Sequence, residues 1–305
     1  MKRKISLSTG TFQNKYGDLQ MLDVAKELGL DAIDFDTCGS RWDYRNPNSI
    51  FAKSDDEIVE YFTKIRHRAD ELGIEIGQTH GRLPGFKNDP AEDDALIENA
   101  RRDCLAASVL GTPVVVIHSV TTIFMGKDAD PKLMHDLNFD MFTRMLPFAK
   151  QYGVKLASET FGDAPGCGCC DFFGNADELI SSFERVCAVG DNAKYMSYCM
   201  DTGHTNKAIR FGNPTAGDLI RRFGKNLSVL HLHDNDGITD QHKLPMTGTI
   251  DWNDVFDALD EVGYSGTYNM ELQLHHFGNG FEYETAAFGV KLMRHMLKSR
   301  YGDNA

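Results

Sequence analysis

The chain has 305 residues, a formal net charge of −13 and a pI near 5.3. This acidity offers no overall attraction to nucleic acid or to an anionic membrane surface, so we expect neither as a partner. The sequence lacks an apolar run of the roughly 20 residues that a membrane helix needs. Seven cysteines, an odd number, without a targeting segment indicate reduced thiols, and we therefore expect a cytoplasmic protein.

Eight short runs rich in Val, Ile and Leu recur along the chain, and a helical pattern follows each of them. They are Ile5–Thr9, Ala32–Asp36, Ile74–His80, Pro113–His118, Lys155–Glu159, Ser197–Asp201, Ser228–His233 and Thr267–Glu271. Short aliphatic strands of this kind are typical of parallel sheets that are covered on both faces.

The segments between these strands carry signals for the start and end of helices. Ser54-Asp-Asp-Glu57 predicts a capping box, and Asp89-Pro90 and Asp130-Pro131 each put a capping residue before a proline at the first helical position. Asp251 predicts another helix start, and Gly73 a left-handed helix end. The sequence therefore predicts strand and helix in strict alternation.

Eight strand–helix units in one chain predict an α/β fold, a single-domain (β/α)₈ TIM barrel spanning residues 1–305. A doubly wound open sheet is the alternative. It is disfavoured because no glycine-rich phosphate loop follows the first strand.

Polar side chains suited to bind a metal or move a proton stand at the carboxyl ends of the predicted strands. They are His80, His118, Glu159, Asp201, His233 and Glu271, with His204 three residues after Asp201. Barrel enzymes build their active sites on this face. A lone strand histidine is more often a hydrogen-bonded core residue, and a lone aspartate is often a helix cap, but six such residues at one end favour a functional site. Carboxylates combined with imidazole suit Mn²⁺, Mg²⁺, Co²⁺ or Zn²⁺.

Side-chain alternation along a strand predicts which residues share a face. His231 and His233 share the face of Val229, and Asp201 shares that of Cys199. Polar residues from six strands can converge only if the barrel closes.

Several motifs are recognisable at this point. They are Ser158-Glu159, Asp201-Thr-Gly-His204, His231-Leu-His-Asp-Asn-Asp236, Gly248-Thr-Ile-Asp-Trp252 and Glu271. With them the chain resembles the xylose-isomerase-like TIM barrel superfamily, which holds sugar isomerases, ketose 3-epimerases, inosose dehydratases and isomerases, and endonuclease IV. By this resemblance, His204 contacts the oxygens of the substrate, and His80 and His118 line the pocket or hold a further metal. The implied metal ligands are Glu159, Asp201, His233 and Glu271.

The resemblance implies a sugar isomerase or epimerase that transfers protons through a metal-stabilised enediolate. Glu159 and Glu271, on non-adjacent strands, would be the catalytic bases on opposite faces of the sugar. We expect Mn²⁺, with Co²⁺, Mg²⁺ and Zn²⁺ as alternatives. A lyase or dehydratase acting on a keto-polyol or keto-glycoside is the second expectation, and an AP endonuclease the third.

Two features of the loop after the seventh strand depart from the ketose 3-epimerases. Their loop arginine is replaced by Thr239, six residues after His233, which weakens a literal ketose 3-epimerase assignment. Asp240-Gln-His242 resembles a ligand pair of endonuclease IV. An additional metal would then be held by His231, Asp240 and His242.

Two loop residues are predicted to bind substrate. Arg82, two residues after His80, could contact a carboxylate or phosphate, or could simply face solvent in a rigid turn. Trp42 could stack on a sugar ring, or could anchor its long loop. The expected partner is a small carbohydrate, and a homo-oligomer or a small partner subunit is left open.

Overall fold

The computed structural model describes residues 3–302, so both ends of the predicted 1–305 domain lie outside the described residues. Ten strands are present: β1 (Ile5–Leu7), β2 (Ala32–Asp36), β3 (Glu75–His80), β4 (Val114–Ile117), β5 (Lys155–Glu159), β6 (Asp163–Ala164), β7 (Cys169–Cys170), β8 (Met196–Asp201), β9 (Leu227–His231) and β10 (Tyr268–Met270). The helices are α1 (Gly10–Tyr16), α2 (Asp18–Glu27), α3 (Asp55–Leu72), α4 (Pro90–Leu110), α5 (Thr122–Met125), α6 (Pro131–Tyr152), α7 (Ala176–Cys187), α8 (Thr202–Ala208), α9 (Ala216–Phe223), α10 (Trp252–Glu261) and α11 (Glu282–Tyr301).

Eight parallel strands form the barrel, and β6 and β7 make a separate antiparallel hairpin. Strands β2-β3-β4-β5-β8-β9 pair in that order, and β1 pairs with β10. Backbone hydrogen bonds join the two sets, from Thr9 N–H to Asp34 O (3.1 Å) and from Leu232 N–H to Asn269 O (2.8 Å). The TIM barrel prediction is confirmed, and the open-sheet alternative is wrong because both of its edges are paired.

The expected capping residues are present at the predicted helix starts. Ser54 and Glu57 form the capping box of α3. The carboxylates of Asp89, Asp130 and Asp251 accept hydrogen bonds from the first-turn N–H groups of α4, α6 and α10. These side chains satisfy N–H groups that have no partner inside the helix, which fixes where each helix begins.

A small apolar layer fills the barrel below its carboxyl end. It consists of Val114, Val116, Ala157, Cys199 and Val229, all buried. The side chains that follow these residues on the same strand face therefore point into the barrel interior, above this apolar layer. All seven cysteines are free thiols, as expected, and no described helix is long and apolar enough to cross a bilayer.

The pairing of β8 with β9 decides which histidine ends the seventh barrel strand. Tyr198 pairs with Leu227 and Cys199 with Val229, so β9 carries one extra residue at a bulge. Beyond it, Asp201 lies opposite His231, where β9 ends. The predicted strand ran to His233 and was therefore two residues too long.

Candidate metal centre

Four side chains meet at the carboxyl end of the barrel. Each offers a ligand atom, and these atoms lie within 4.8 Å of one another; we call Glu159, Asp201, His231 and Glu271 the central group. His231 Nδ1 lies 3.3 Å from Glu159 Oε1 and 3.3 Å from Glu271 Oε2. Three carboxylates around one imidazole are a donor set that suits a divalent cation.

His233, which the resemblance implied as a ligand, lies outside the central group and beside Asp201. Its Nε2 lies 2.9 Å from Asp201 Oδ1, on the side of Asp201 that faces the loop after β9. Because alternation puts His231 and His233 on one face, only the strand register could decide between them. The observed register sets His231 opposite Asp201 at the end of β9.

A second set of donors adjoins the central group through Glu159. His118 Nε2 forms a 3.0 Å hydrogen bond with Glu159 Oε2, and His80 Nε2 lies 3.3 Å from the same oxygen. His80 and His118 thus lie side by side at Glu159.

A third set, the loop group, consists of His204, His233, Asp240 and His242. Asp240 Oδ2 lies 3.3 Å from His204 Nε2 and 3.4 Å from His242 Nε2. His233 stacks on His242 with ring centroids 3.8 Å apart. Asp240 and His242 therefore lie beside His233, whereas the sequence analysis grouped them with His231.

Gly203, inside the Asp201-Thr-Gly-His204 motif, makes room for this packing. A Cβ at this position would collide with the imidazole of His233. The glycine therefore belongs to the geometry of the loop group.

Buried atoms without partners indicate that the central group fits a cation. Both ring nitrogens of His231 and Nδ1 of His233 are buried and accept or donate no hydrogen bond within residues 3–302. An unsatisfied buried polar group costs about 1–3 kcal/mol. A divalent ion among Glu159, Glu271 and His231 Nδ1 would satisfy that nitrogen and offset the repulsion between the carboxylates.

Asp34 orients His231 and was missed by the sequence analysis. Its Oδ2 lies 3.4 Å from His231 Nε2, opposite the Nδ1 that faces the carboxylates. Ser8, Gln78 and Asn269 donate hydrogen bonds to the same oxygen. Metal-binding histidines commonly present their other nitrogen to a carboxylate. The signal available in the sequence was an aspartate between Ile33 and Phe35 in a predicted strand.

Glu159 and Asp201 are held in their ionised form. Burial alone would raise the pKa of Glu159, but the imidazoles of His231 and His118 hold that pKa well below its usual range. The charges of His204 and His233 lower the pKa of Asp201 to about 2 against the same burial. Ionised carboxylates are the form that binds metal.

Arg82 and Trp42, both predicted to bind substrate, are engaged elsewhere. Arg82 pairs with Asp43. Trp42 is only 3% exposed and packs against Phe51 and Phe62, with ring centroids 5.5 and 5.8 Å away. The geometry of Trp42 favours the alternative, a hydrophobic anchor, whereas Arg82 forms an ion pair instead of facing solvent as its alternative expected.

A cavity of about 640 Å³ opens beside the central group. His80, His242 and Glu271 line its inner end, and Asp34 and Asp36 form part of its floor. A small molecule could therefore reach the donors from solvent.

A model of the xylose isomerase-like TIM barrel family matches residues 22–295. The chain belongs to this family. The resemblance inferred from the motifs is thereby confirmed.

Relatives within the family cover most of the chain at low identity. The crystal structure of a D-tagatose 3-epimerase-like protein superposes with a TM-score of 0.73 and 18% identity, covering 99% of this chain and 100% of that one. The IolI protein with a bound zinc atom superposes with a TM-score of 0.69 and 20% identity, covering 97% of each chain. An inosose isomerase of Halalkalibacterium halodurans is 23% identical over 82% of this chain and 81% of its own. At such identities these likenesses establish the fold.

Two of the family motifs meet at one carboxylate. Asp234, the third residue after His231, accepts hydrogen bonds from the indole N–H of Trp252 (2.9 Å) and the backbone N–H of Ile250 (3.3 Å). Its own backbone pairs with Lys243 in both directions at 2.9 Å. Asp234 thus fixes the loop that carries Asp240 and His242.

Proposed function

We propose that this protein is a divalent-metal-dependent isomerase or epimerase of a sugar or sugar derivative. The observation that carries the proposal is that Glu159 and Glu271 approach the same atom, Nδ1 of His231, from different strands. Asp201 completes the group and lies buried beside them. Two ionisable carboxylates beside one ligand position suit proton transfer at a carbon next to a carbonyl.

The residues have separate tasks in this proposal. Glu271 lines the cavity and is one-quarter exposed, so its carboxylate can reach a substrate proton. Glu159 is 1% exposed and would act from the opposite, inner side, next to His118. His204 would hold a substrate oxygen near Glu159. When bound, the metal would act as a Lewis acid that stabilises the two oxygens of the enediolate.

The donor atoms indicate a class of metal ions and not a single metal. Oxygen and nitrogen donors without sulfur in the central group suit Mn²⁺, Co²⁺, Mg²⁺ or Zn²⁺. We retain Mn²⁺ as first choice. The IolI structure with its bound zinc atom supports a divalent ion as the cofactor of this protein.

The test is deuterium exchange in D₂O with protein reconstituted separately with each of the four metals. The probes are D-fructose, D-tagatose and an inosose. Proton NMR follows the loss of the signal from the hydrogen on the carbon next to the carbonyl. We expect metal-dependent exchange with at least one probe and none after chelation. Loss of water from the probe instead would identify the lyase alternative, and exchange that persists in metal-free protein would refute the proposal.

The adjoining donor sets favour one second candidate, a hydrolase that uses several metals. Glu159 is shared between the central group and His80–His118, and the loop group lies beyond Asp201. Neighbouring divalent ions can clamp the attacking and leaving oxygens of a phosphoester. The net charge of −13 speaks against nucleic acid as substrate. Hydrolysis of bis-p-nitrophenyl phosphate, run beside the exchange assay, separates the two candidates.

A further inference from the structure

The outer half of the cavity is built by two segments that the proposed chemistry does not use. One follows β1 and contributes residues 8–15, and the other follows β10 and contributes residues 272–282. A sugar whose carbonyl end reaches Glu271 would extend its other end between them. The side chains of these segments therefore determine what that end can be.

Carboxylates dominate the charged groups along this cavity. Asp34, Asp36, Glu271 and Glu282 all line it, and Lys15 is the single lysine or arginine among its described lining residues. The three carboxylates of the central group also outnumber the two charges of one divalent ion. Lysine and arginine therefore contribute little positive charge along this cavity.

Lys15 is already neutralised by a buried partner. Its Nζ lies 2.7 Å from Glu282 Oε2, and the side chain of Glu282 is only 5% exposed. The other oxygen, Oε1, accepts a hydrogen bond from Gly280 N–H (2.9 Å) and lies 3.1 Å from His275 Nδ1. An anionic ligand that took Lys15 would leave a buried carboxylate without its cation, which is strongly unfavourable.

Other basic side chains are committed in the same way, since His80 Nε2 lies 3.3 Å from Glu159 Oε2 and His242 Nε2 lies 3.4 Å from Asp240 Oδ2. Arg82 pairs with Asp43, and Lys207 lies 2.8 Å from Asp163 and 3.7 Å from Asp240. A phosphate entering the cavity would therefore find no ready partner beyond the metal.

Groups that recognise hydroxyls are available instead. The Asp36 carboxylate accepts a hydrogen bond from Cys38 N–H (2.7 Å) and faces Gly10, where a Cβ would collide with its Oδ2. An ionised carboxylate can accept several hydrogen bonds, so Asp36 retains capacity for hydroxyl donors. The side-chain amides of the exposed residues Asn14, Gln273 and Asn279 make no hydrogen bond within residues 3–302, and amides both donate and accept.

We propose that these two segments form a subsite for the distal end of the substrate, and that it selects an uncharged polyhydroxy carbonyl compound over phosphorylated or carboxylated relatives. This inference rests on the proposed function for the position of the carbonyl end. Asp36 and the three amides bind hydroxyls, and the Lys15–Glu282 pair denies a free cation to anions.

Binding to the metal-loaded wild-type protein tests the selectivity directly. D-Fructose and D-fructose 6-phosphate are compared by isothermal titration, and both are followed by deuterium exchange. We expect fructose to bind at least tenfold more tightly than its phosphate. Equal or tighter binding of the phosphate, or binding of neither sugar, overturns the subsite. Selective binding without exchange leaves the subsite standing and counts against the proposed function alone.

A charge variant tests the ion pair. Glu282→Gln releases Lys15, and we expect the affinity for fructose 6-phosphate relative to fructose to rise at least tenfold. Glu261→Gln, which breaks the exposed pair of Glu261 with Arg221 on the outer helices, is the matched control and should leave this ratio unchanged. An unchanged ratio in Glu282→Gln contradicts the role of the pair.

Lys15→Met provides a test that does not depend on the folding of the Glu282 variant. If the ion pair with Glu282 neutralises Lys15 in the wild type, Lys15→Met should leave the affinity for fructose 6-phosphate unchanged. A loss of tenfold or more would show that Lys15 binds the phosphate, and would overturn the proposal. Asp36→Asn, in contrast, should raise KM for the neutral sugar several-fold while metal content stays that of the wild type.

Discussion

His231 Nδ1 lies 3.3 Å from Glu159 Oε1, and both side chains are closed off from solvent at the carboxyl end of the barrel. No hydrogen-bond geometry joins the two atoms, although both are strongly polar. A divalent cation between the two side chains would satisfy the His231 nitrogen, and we therefore propose that the metal site depends on His231.

We expect His231→Ala and His233→Ala to differ in metal binding. His231→Ala removes the imidazole between Glu159 and Glu271 and should lower Mn²⁺ affinity by at least tenfold. His233→Ala should leave the affinity of the central group within about twofold to threefold, because His233 faces Asp201 from the loop group. Titration of metal-free protein with Mn²⁺ measures both; the reverse result would restore the ligand set expected from the motifs alone.

Exchange of either glutamate for glutamine should separate catalysis from metal binding. Glu159→Gln and Glu271→Gln keep a ligand oxygen but lose the base, so turnover should fall by about 10²–10⁴ with only a modest loss of metal affinity. Asp201→Asn should instead lose metal and activity together. Metal content measured beside the exchange rate decides, and near-normal turnover in both glutamine variants would mean that other residues move the proton.

Removal of metal should destabilise the folded protein. Metal at a hundredfold excess over Kd adds about 2.7 kcal/mol to the free energy of unfolding, because the unfolded chain does not hold the four ligands together. We therefore expect EDTA to lower Tm by several degrees in the wild type. His231→Ala serves as control and should respond about half as much or less, because a tenfold weaker Kd leaves about 1.4 kcal/mol at the same metal concentration. Superimposable wild-type melting curves with and without EDTA would speak against a metal.

Asp103 should make stability fall as pH rises. Burial raises the pKa of this carboxyl to about 7, against the hydrogen bonds from Thr37 and from the backbone N–H of Arg82. The native state therefore binds more protons than the unfolded chain between pH 4 and 7. By linkage, stability decreases over that range as pH rises, by at most about 1.4 kcal/mol per pH unit.

Asp103→Asn should remove this decrease. The Thr37 hydroxyl also donates to the carbonyl of His80 (2.7 Å), so an amide can donate to Thr37 as the protonated carboxyl does. Urea unfolding in EDTA should show a stability gain for the variant that grows from pH 5 to pH 8. The exposed Asp56→Asn is the control, and a gain that does not change with pH would contradict the assignment.

Trp42 should matter for stability and not for substrate binding. Removal of a buried aromatic side chain typically costs about 3–5 kcal/mol, and Trp42 lies among Phe35, Phe51 and Phe62. Trp42→Ala should lower the urea midpoint strongly, whereas KM of the protein that remains folded should stay near the wild-type value. A raised KM with unchanged stability would instead indicate the sugar-stacking role.

Much of this molecule follows from local sequence. Short aliphatic runs predicted the eight barrel strands. Capping residues predicted the starts of four helices, α3, α4, α6 and α10. Both signals are local, because caps and side-chain alternation depend on residues only a few positions apart. The polar residues at the strand ends gave most of the central group, since parallel strands deliver their carboxyl ends to one face. Closure of the barrel was inferred from the same residues.

What the sequence could not decide depends on contacts between distant segments. His231 and His233 are equivalent by alternation, and only the bulge that pairs Cys199 with Val229 sets His231 opposite Asp201. Asp34 becomes a partner of His231 because β2 and β9 face each other across the barrel interior. Trp42 packs in the core, and Arg82 pairs with Asp43. Such loop side chains lie where the tertiary structure offers burial or an opposite charge, which the sequence alone does not show. Residue types and spacing thus determined the fold and the kind of site, whereas strand register and packing selected the atoms that form it.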